Sequence, residues 1–285
     1  MSDIHDSTAE GLQVLGLCRF SVPTKDAFQT TQPTQAEKRA FLYDPARLDY
    51  RFAWFENMLL PSIAAQRDKA FRLIVMMGHD FPEPWRSRME GHIAAHPQLV
   101  AEYVPYSFHR RRVGIVMAKH SDPKADAIAQ FRLDDDDAVA IDFVRSLRSD
   151  YLDLESYFHH QERMALEYGR GMVVLDRGDG ALGLRPVVTH FWSAALAIFT
   201  RPGDGHHLLE KAHYHTWRSM PAVSNTDEFM FLRGEHGTND SKTALPFQRI
   251  EMDREDVIET LRLRFEVDLE ALRRAVVAAR DPASV

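Results

Sequence analysis

Apolar residues in this chain alternate between short unbroken runs and stretches where they recur every three or four positions. The first run, Leu12 to Leu17, reads as a buried strand that ends at Arg19. Residues 21–49 lack a clear period and contain Pro23, Pro33 and Pro45, which predicts a long loop with one turn of helix. From Tyr50, the positions Phe52, Phe55, Leu59 and Ile63 follow one helix face, and Pro61 is expected to kink or restart that helix. Phe71–Met77 reads as a strand buried on both faces and closed by Gly78. Trp85, Met89 and Ile93 mark a helix that starts near Pro82 and Pro84 and stops by Pro97. Leu99–Val104 is a strand, Val113, Val116 and Met117 suggest a helix, and Ala127–Leu133 is another strand. Strands alternating with helices over this length predict a mostly parallel central sheet flanked by helices, an α/β fold.

The second half has a different texture. Residues 141–168 read as helical. Met172–Leu175 and Leu184–Val188 flank the turn-rich Arg177-Gly178-Asp179-Gly180, which predicts a hairpin. Ala194–Thr200 and Phe229–Leu232 read as further strands, the latter running into a polar loop from Gly234 to Lys242. At the C-terminus, Ile258, Leu261, Phe265, Leu269, Leu272 and Val276 predict one continuous helix, with Asp253 as N-cap and Asp256 three residues on. The expected organisation is a tail over residues 1–10 followed by a single domain over 11–285. Within it, the strand–helix alternation covers 12–140, the second texture covers 141–250, and the C-terminal helix covers 253–280.

Composition narrows the function classes. The 285 residues carry a formal net charge of −7, which argues against a dedicated nucleic-acid binder, since that needs net basic surface to follow phosphates. The single cysteine, Cys18, excludes an intrachain disulfide framework and a cysteine-built metal site. No apolar run approaches the ~20 residues of a membrane span, and Met1 to Gly11 does not read as a signal peptide. A cytoplasmic protein is the expectation.

The main chemical signal is Phe131-Arg132-Leu133-Asp134-Asp135-Asp136-Asp137, four aspartates directly after a buried strand. In open α/β sheets, that carboxyl edge is where ligands bind. Alternation in an extended segment would point Asp134 and Asp136 to one side, where adjacent carboxylates call for a cation between them. Hard oxygen donors without cysteine favour Mg²⁺ or Mn²⁺ shared with a substrate's phosphates. The competing reading is a solvated acidic loop.

Leu133-Asp134-Asp135-Asp136-Asp137 resembles the Asp-x-Asp motif of GT-A-fold glycosyltransferases, in the form found in glycosyltransferase family 2. Leu60-Pro61-Ser62-Ile63-Ala64-Ala65-Gln66 ahead of the second strand, and Arg112-Val113-Gly114-Ile115 ahead of the aspartate strand, are similar to segments of that group. Leu15–Ser21, Phe131–Val139 and His236-Gly237-Thr238-Asn239-Asp240-Ser241 resemble the bacterial putative rhamnosyltransferase family over nearly the whole chain. The resemblance implies a GT-A-like fold, with 12–140 as the nucleotide-sugar half and 141–250 as the acceptor half, and transfer of a sugar, rhamnose by the family's label, from a nucleotide-diphosphate sugar donor to a glycan or glycolipid acceptor. It also implies Mn²⁺ or Mg²⁺ as cofactor. Asp136 would ligate the metal, Asp134 would face metal or ribose, and Asp135 and Asp137 would lie against the donor.

Other candidates follow from their positions. Arg19 ends the first strand where the nucleotide would lie, and Asp80 stands near the place where the family keeps a base-recognising acid. Asp227-Glu228 is the nearest match to the pair carrying the catalytic base, with helix or strand capping as its other reading. His236 lies in a glycine-bearing loop that could close over the donor and offer a metal ligand. Arg110-Arg111-Arg112 could clamp phosphates or meet the inner membrane surface, or be solvated surface. Two other functions remain open at this level: another metal-phosphate enzyme, such as a nucleotidyltransferase or phosphohydrolase, and a non-enzymatic cation- or carbohydrate-binding module.

Overall fold

The computed structural model describes residues 11–26, 32–192, 194–237 and 246–280. The expected tail over residues 1–10 and most of the polar loop after Gly237 lie outside the described residues. The chain opens with β1 (Leu12–Arg19), α1 (Gln35–Leu42) and α2 (Pro45–Trp54). It continues through a π turn at Phe55–Leu59 into α3 (Leu60–Ala64), then β2 (Arg72–Gly78), α4 (Trp85–Ala95), β3 (Leu99–Val104), α5 (His109–His120) and β4 (Ala127–Asp134).

The expected loop over 21–49 holds α1 and the start of α2. Thr34 and Glu37 form a reciprocal capping box at α1, and Pro45 occupies the first turn of α2 behind the cap Asp44. Pro45, which read as a breaker, is here a helix starter, because the first turn has no use for the missing N–H. Pro61 behaves as expected: the π turn widens the helix just before it and α3 begins anew.

After β4 come β5 (Asp137–Val139), α6 (Phe143–Gln161), β6 (Arg163–Tyr168), β7 (Arg170–Asp176), β8 (Leu182–Thr189) and β9 (Leu196–Thr200). The remainder is β10 (Ala222–Asn225), β11 (Phe231–Glu235), β12 (Phe247–Arg249), α7 (Arg254–Phe265) and α8 (Leu269–Arg280). Two expectations need correcting. The helix read over 141–168 stops at Gln161, where Glu162 turns left-handed (φ 61°), and residues 163–168 form β6. The continuous C-terminal helix is two helices. Glu266 breaks it at φ 56°, and Asp268 restarts it by accepting from the Glu270 and Ala271 N–H groups. Val257 rather than Ile258 faces the core at its start.

Seven strands form one sheet in the order β10-β6-β9-β4-β1-β2-β3. Only β9 runs against its neighbours, so the carboxyl ends of β1, β2, β3, β4, β6 and β10 share one edge. A second sheet, β12-β8-β7-β11-β5, contains the expected hairpin β7–β8. The four aspartates are the corner between the two sheets: Asp134 ends β4 in the first, and Asp137 opens β5 in the second, opposite Arg233 of β11. One apolar cluster, including Phe20, Phe52, Trp54, Phe131 and Phe231, joins both sheets to α2, α7 and α8. A smaller one under α5 contains Leu15, Leu17, Ile128, Val113 and Met117. Among the described residues, no helix is long and apolar enough to cross a membrane.

Candidate active site

Alternation along β1 and β4 sets the first part of the site. Leu15 and Leu17 of β1 and Ile128 of β4 face the apolar layer under α5. Further along the same face come Arg19, two residues past Leu17, and Arg132 and Asp134, four and six past Ile128, with Leu17 opposite Arg132 and Arg19 opposite Asp134. Once the apolar residues under α5 run out, the same face turns charged. The Arg19 Nη2 donates to Asp134 Oδ1 at 2.7 Å, and Arg132 Nη2 to the other oxygen at 3.4 Å. Burial opposes ionisation of Asp134, but Arg132 and Arg19 outweigh it and hold its pKa well below the usual carboxylate range.

The chain turns at Asp135 and Asp136, so the expected alternation of Asp134 and Asp136 to one side does not occur. Asp135 and Asp136 point instead to Arg51 of α2. That guanidinium grips Asp135 with two donors, Nε at 2.6 Å and Nη2, and reaches Asp136 at 3.3 Å. The His236 Nε2 lies 2.8 Å from Asp136 Oδ2 and 3.0 Å from Arg51 Nη1. Its ring is enclosed by Tyr50 and Trp54, each 5.2 Å away between centroids. Burial holds His236 below the ordinary histidine pKa despite Asp136. Asp136 is brought to about 2, since Arg51 and His236 outweigh its burial. Gly234 makes the corner possible: its N–H donates to the Asp136 carbonyl at 2.7 Å, and a Cβ there would lie 2.8 Å from that oxygen.

Asp137 differs again. It accepts from the Asp134 N–H at 3.0 Å, and burial, reinforced by Asp136 and Asp134, pushes its pKa up to about 8. At neutral pH it is predominantly protonated.

Beside Asp134 opens a cleft of about 420 Å³ lined by Arg19, His109, Arg110, Arg132, Lys211 and His213, with Asp26 as its acidic member. Burial, followed by the nearby arginines, lowers His109 to about 3 and His213 to about 4, so both rings are neutral at pH 7. The buried Nε of Arg132 has no hydrogen-bond partner among the described residues. A cleft of this volume and sign suits a compact polyanion.

The aspartate run does not fit the expected Mg²⁺ or Mn²⁺ site as it stands. An octahedral ion needs carboxylate oxygens converging on one point. Here Asp134 is held by Arg19 and Arg132, Asp135 by Arg51, Asp136 by Arg51 and His236, and Asp137 retains its proton. Among the described residues, no group of three or more His, Cys, Asp or Glu side chains is arranged to hold a metal. The roles expected for Asp134, Asp136 and His236 as ligands thus find no support in this geometry, because arginines fill the space a metal would take.

The remaining candidates are dispersed along the same sheet edge. Asp80 is bound by Arg39 at 2.6 Å and Tyr43 at 3.2 Å and braces α1. Arg112 bonds Ser107, and the cleft takes its neighbours His109 and Arg110 instead. Asp227 and Glu228 follow β10, three strand positions from β4, or about 14 Å at the usual spacing. Their contacts are Arg170, which donates to the Asp227 carbonyl, and Arg264, 3.9 Å from Glu228; neither touches the aspartate run.

Sequence reading missed Arg51, Arg132 and a pair nearer the cleft, Glu167 and His190. Glu167, buried at the end of β6, accepts from His190 Nδ1 at 2.8 Å and from the Phe191 N–H. The His190 side chain is 66% exposed. Phe191 in turn accepts from His213 of the cleft. The usable signal was Arg132, a charge in phase with Asp134 on a buried strand. Glu167 and His190 carried none, since their separation of 23 residues is closed only by the sheet.

Comparison with known proteins bears on this geometry. Residues 13–248 match the family described as putative rhamnosyl transferase. No curated protein matches the chain. Among solved structures, S. aureus TarS 1-349 in complex with UDP-GlcNAc is similar at 14% identity and a TM-score of 0.44, covering 94% of this chain and 71% of that one. A nucleotide-diphospho-sugar transferase from Desulfovibrio desulfuricans G20, titled putative, is similar at 13% identity and a TM-score of 0.39, covering 95% and 97%. With the family match spanning both sheets and the whole aspartate corner, the chain belongs to the putative rhamnosyl transferase family and is a glycosyltransferase of α/β fold.

Proposed function

We propose that the protein transfers a sugar from a nucleoside-diphosphate donor to a hydroxyl of a glycan or glycolipid, with the donor's diphosphate in the cleft beside Asp134. The observation that carries this reading is the cleft itself: four cationic side chains and two neutral imidazoles converge at the carboxyl ends of β1 and β4. That is the edge where an α/β sheet receives a nucleotide. The family's description makes a rhamnose nucleotide the first donor to test.

The acceptor hydroxyl must lose a proton as it attacks, and His190 is the group we assign to take it. Glu167 fixes Nδ1 as the protonated nitrogen, leaving Nε2 as the acceptor. Glu167 pairs with Leu196 of β9, whose next residue Ala197 pairs with Phe131 of β4. The pair therefore stands level with Arg132, two strand spacings or about 10 Å away.

Thermal melting against a panel of nucleoside diphosphates and their sugars tests the reading. A ligand at a hundredfold excess over its Kd stabilises the native state by about 2.7 kcal/mol, so a selective upward shift is expected for one base. Incubating the stabilising sugar nucleotide with enzyme should release nucleoside diphosphate slowly to water. Release of pyrophosphate instead would point to a nucleotidyltransferase, and the absence of any shift would sink the proposal.

A further inference from the structure

We infer that protein cations, chiefly Arg19 and Arg132, hold the donor's diphosphate and neutralise its departing charge, with no divalent metal bridging it to the aspartates. The inference rests on the sugar-transfer reading above and concerns how that site meets its anion. In the transfer, the bond between the anomeric carbon and the outer phosphate oxygen breaks, and its electron pair leaves with the diphosphate. The acceptor oxygen forms the new bond to that carbon as its proton passes to His190. Negative charge therefore grows on the leaving oxygen, and something positive must already be aimed there.

Three independent features say which positive groups these are. The carboxylates that would hold a metal are committed: Arg51 and His236 occupy Asp135 and Asp136 inside the fold, and Arg19 and Arg132 occupy Asp134. The cleft that remains is cationic, with Arg19, Arg110, Arg132 and Lys211 set against Asp26. One of its arginines also has capacity left, since the Arg132 Nε is buried without a hydrogen-bond partner among the described residues. A guanidinium carries five donors in a planar fork, so one arginine can hold Asp134 on one side and a phosphate on the other. Asp134 keeps Arg19 and Arg132 in place until the diphosphate arrives. His109 Nε2, 3.4 Å from Arg19 Nη1, and His213 border the same space. As neutral rings they add no charge, and the His213 N–H is already given to the Phe191 carbonyl.

The metal-bound and cation-bound sites predict opposite behaviour for the same variants. Titration calorimetry with UDP, dTDP, GDP and ADP, in excess EDTA and again in Mg²⁺ or Mn²⁺, reads the difference directly. We expect one nucleoside diphosphate to bind with affinity changed less than about threefold by EDTA. Arg132→Gln should weaken it by about tenfold or more, the scale of one lost charge-assisted hydrogen bond. Lys211→Gln, at an exposed position, should weaken it by a smaller factor with the fold untouched, and Asp134→Asn should leave it unchanged or tighter by releasing Arg19 and Arg132. Binding that needs metal and is lost in Asp134→Asn overturns this inference while leaving sugar transfer intact. No binding of any nucleoside diphosphate in either condition removes both.

Discussion

The two ends of the aspartate run are chemically identical and structurally opposite. Asp134 keeps 29% of its side chain exposed at the mouth of a basic cleft, whereas Asp135 and Asp136 keep 3% and 4% and are locked against Arg51 and His236. The difference arises within one residue, where β4 stops and the chain turns toward the second sheet. An acidic run is thus not one structural unit: the end on the sheet's open edge pairs with the arginines Arg19 and Arg132, and the end inside the corner fastens the two sheets together.

Breaking the inner end should have the largest effect. Arg51→Ala leaves Asp135 and Asp136 buried without their cation, and loss of one partner from such a group costs about 3–5 kcal/mol. Chemical denaturation should show a marked drop, partly restored by adding Asp135→Asn; a loss below about 1 kcal/mol would mean that Arg51 is a surface pair in solution. Gly234→Ala comes next. Its Cβ would press on Asp136 Cβ and the Asp136 carbonyl oxygen, each at 2.8 Å, and such crowding typically costs about 1–3 kcal/mol. An unchanged melting temperature would show that the corner is looser than its contacts imply.

Asp137 sharpens the comparison through pH. An unfolded aspartate releases its proton near 3.9, while burial keeps folded Asp137 protonated up to about 8. Between these values the folded chain holds the extra proton, so this group lowers stability as pH rises through the interval. Asp137→Asn should raise the melting temperature at pH 8 more than at pH 5, and a uniform shift would refute the protonated state. The opposite slope belongs to His109, held at about 3 by burial and by Arg19 and Arg132. It contributes stability above the unfolded value near 6.5 that is lost as pH falls toward 3, and His109→Gln should flatten that acid limb. At the outer end, Asp134→Asn should change stability by less than about 1 kcal/mol, as expected for a partly exposed pair. A larger loss would make Asp134 a fastening residue like its neighbours.

The same contrast explains what could be read in advance. Arg19, Asp134 and the parallel sheet were legible because strand alternation and short α/β connections are local rules. Arg51 was not, because an arginine on an amphipathic helix gives no sign of which carboxylate it will meet 84 positions later. The segments 163–168 and 266–268 were misread where a left-handed residue, Glu162 or Glu266, broke a helix whose apolar pattern ran on. Asp80 and Arg112 gave no sign of their partners either: Asp80 pairs with Arg39, and Arg112 donates to the Ser107 hydroxyl.

The sequence by itself determined that this protein is built on a mostly parallel sheet with four aspartates at its carboxyl edge, because hydrophobic period and strand length are properties of contiguous residues. Only the tertiary structure decided which of those aspartates are ionised, which are buried, and which cations they face. Those properties depend on distances between β4, α2 and the loop after β11, and packing around the corner brings the three together.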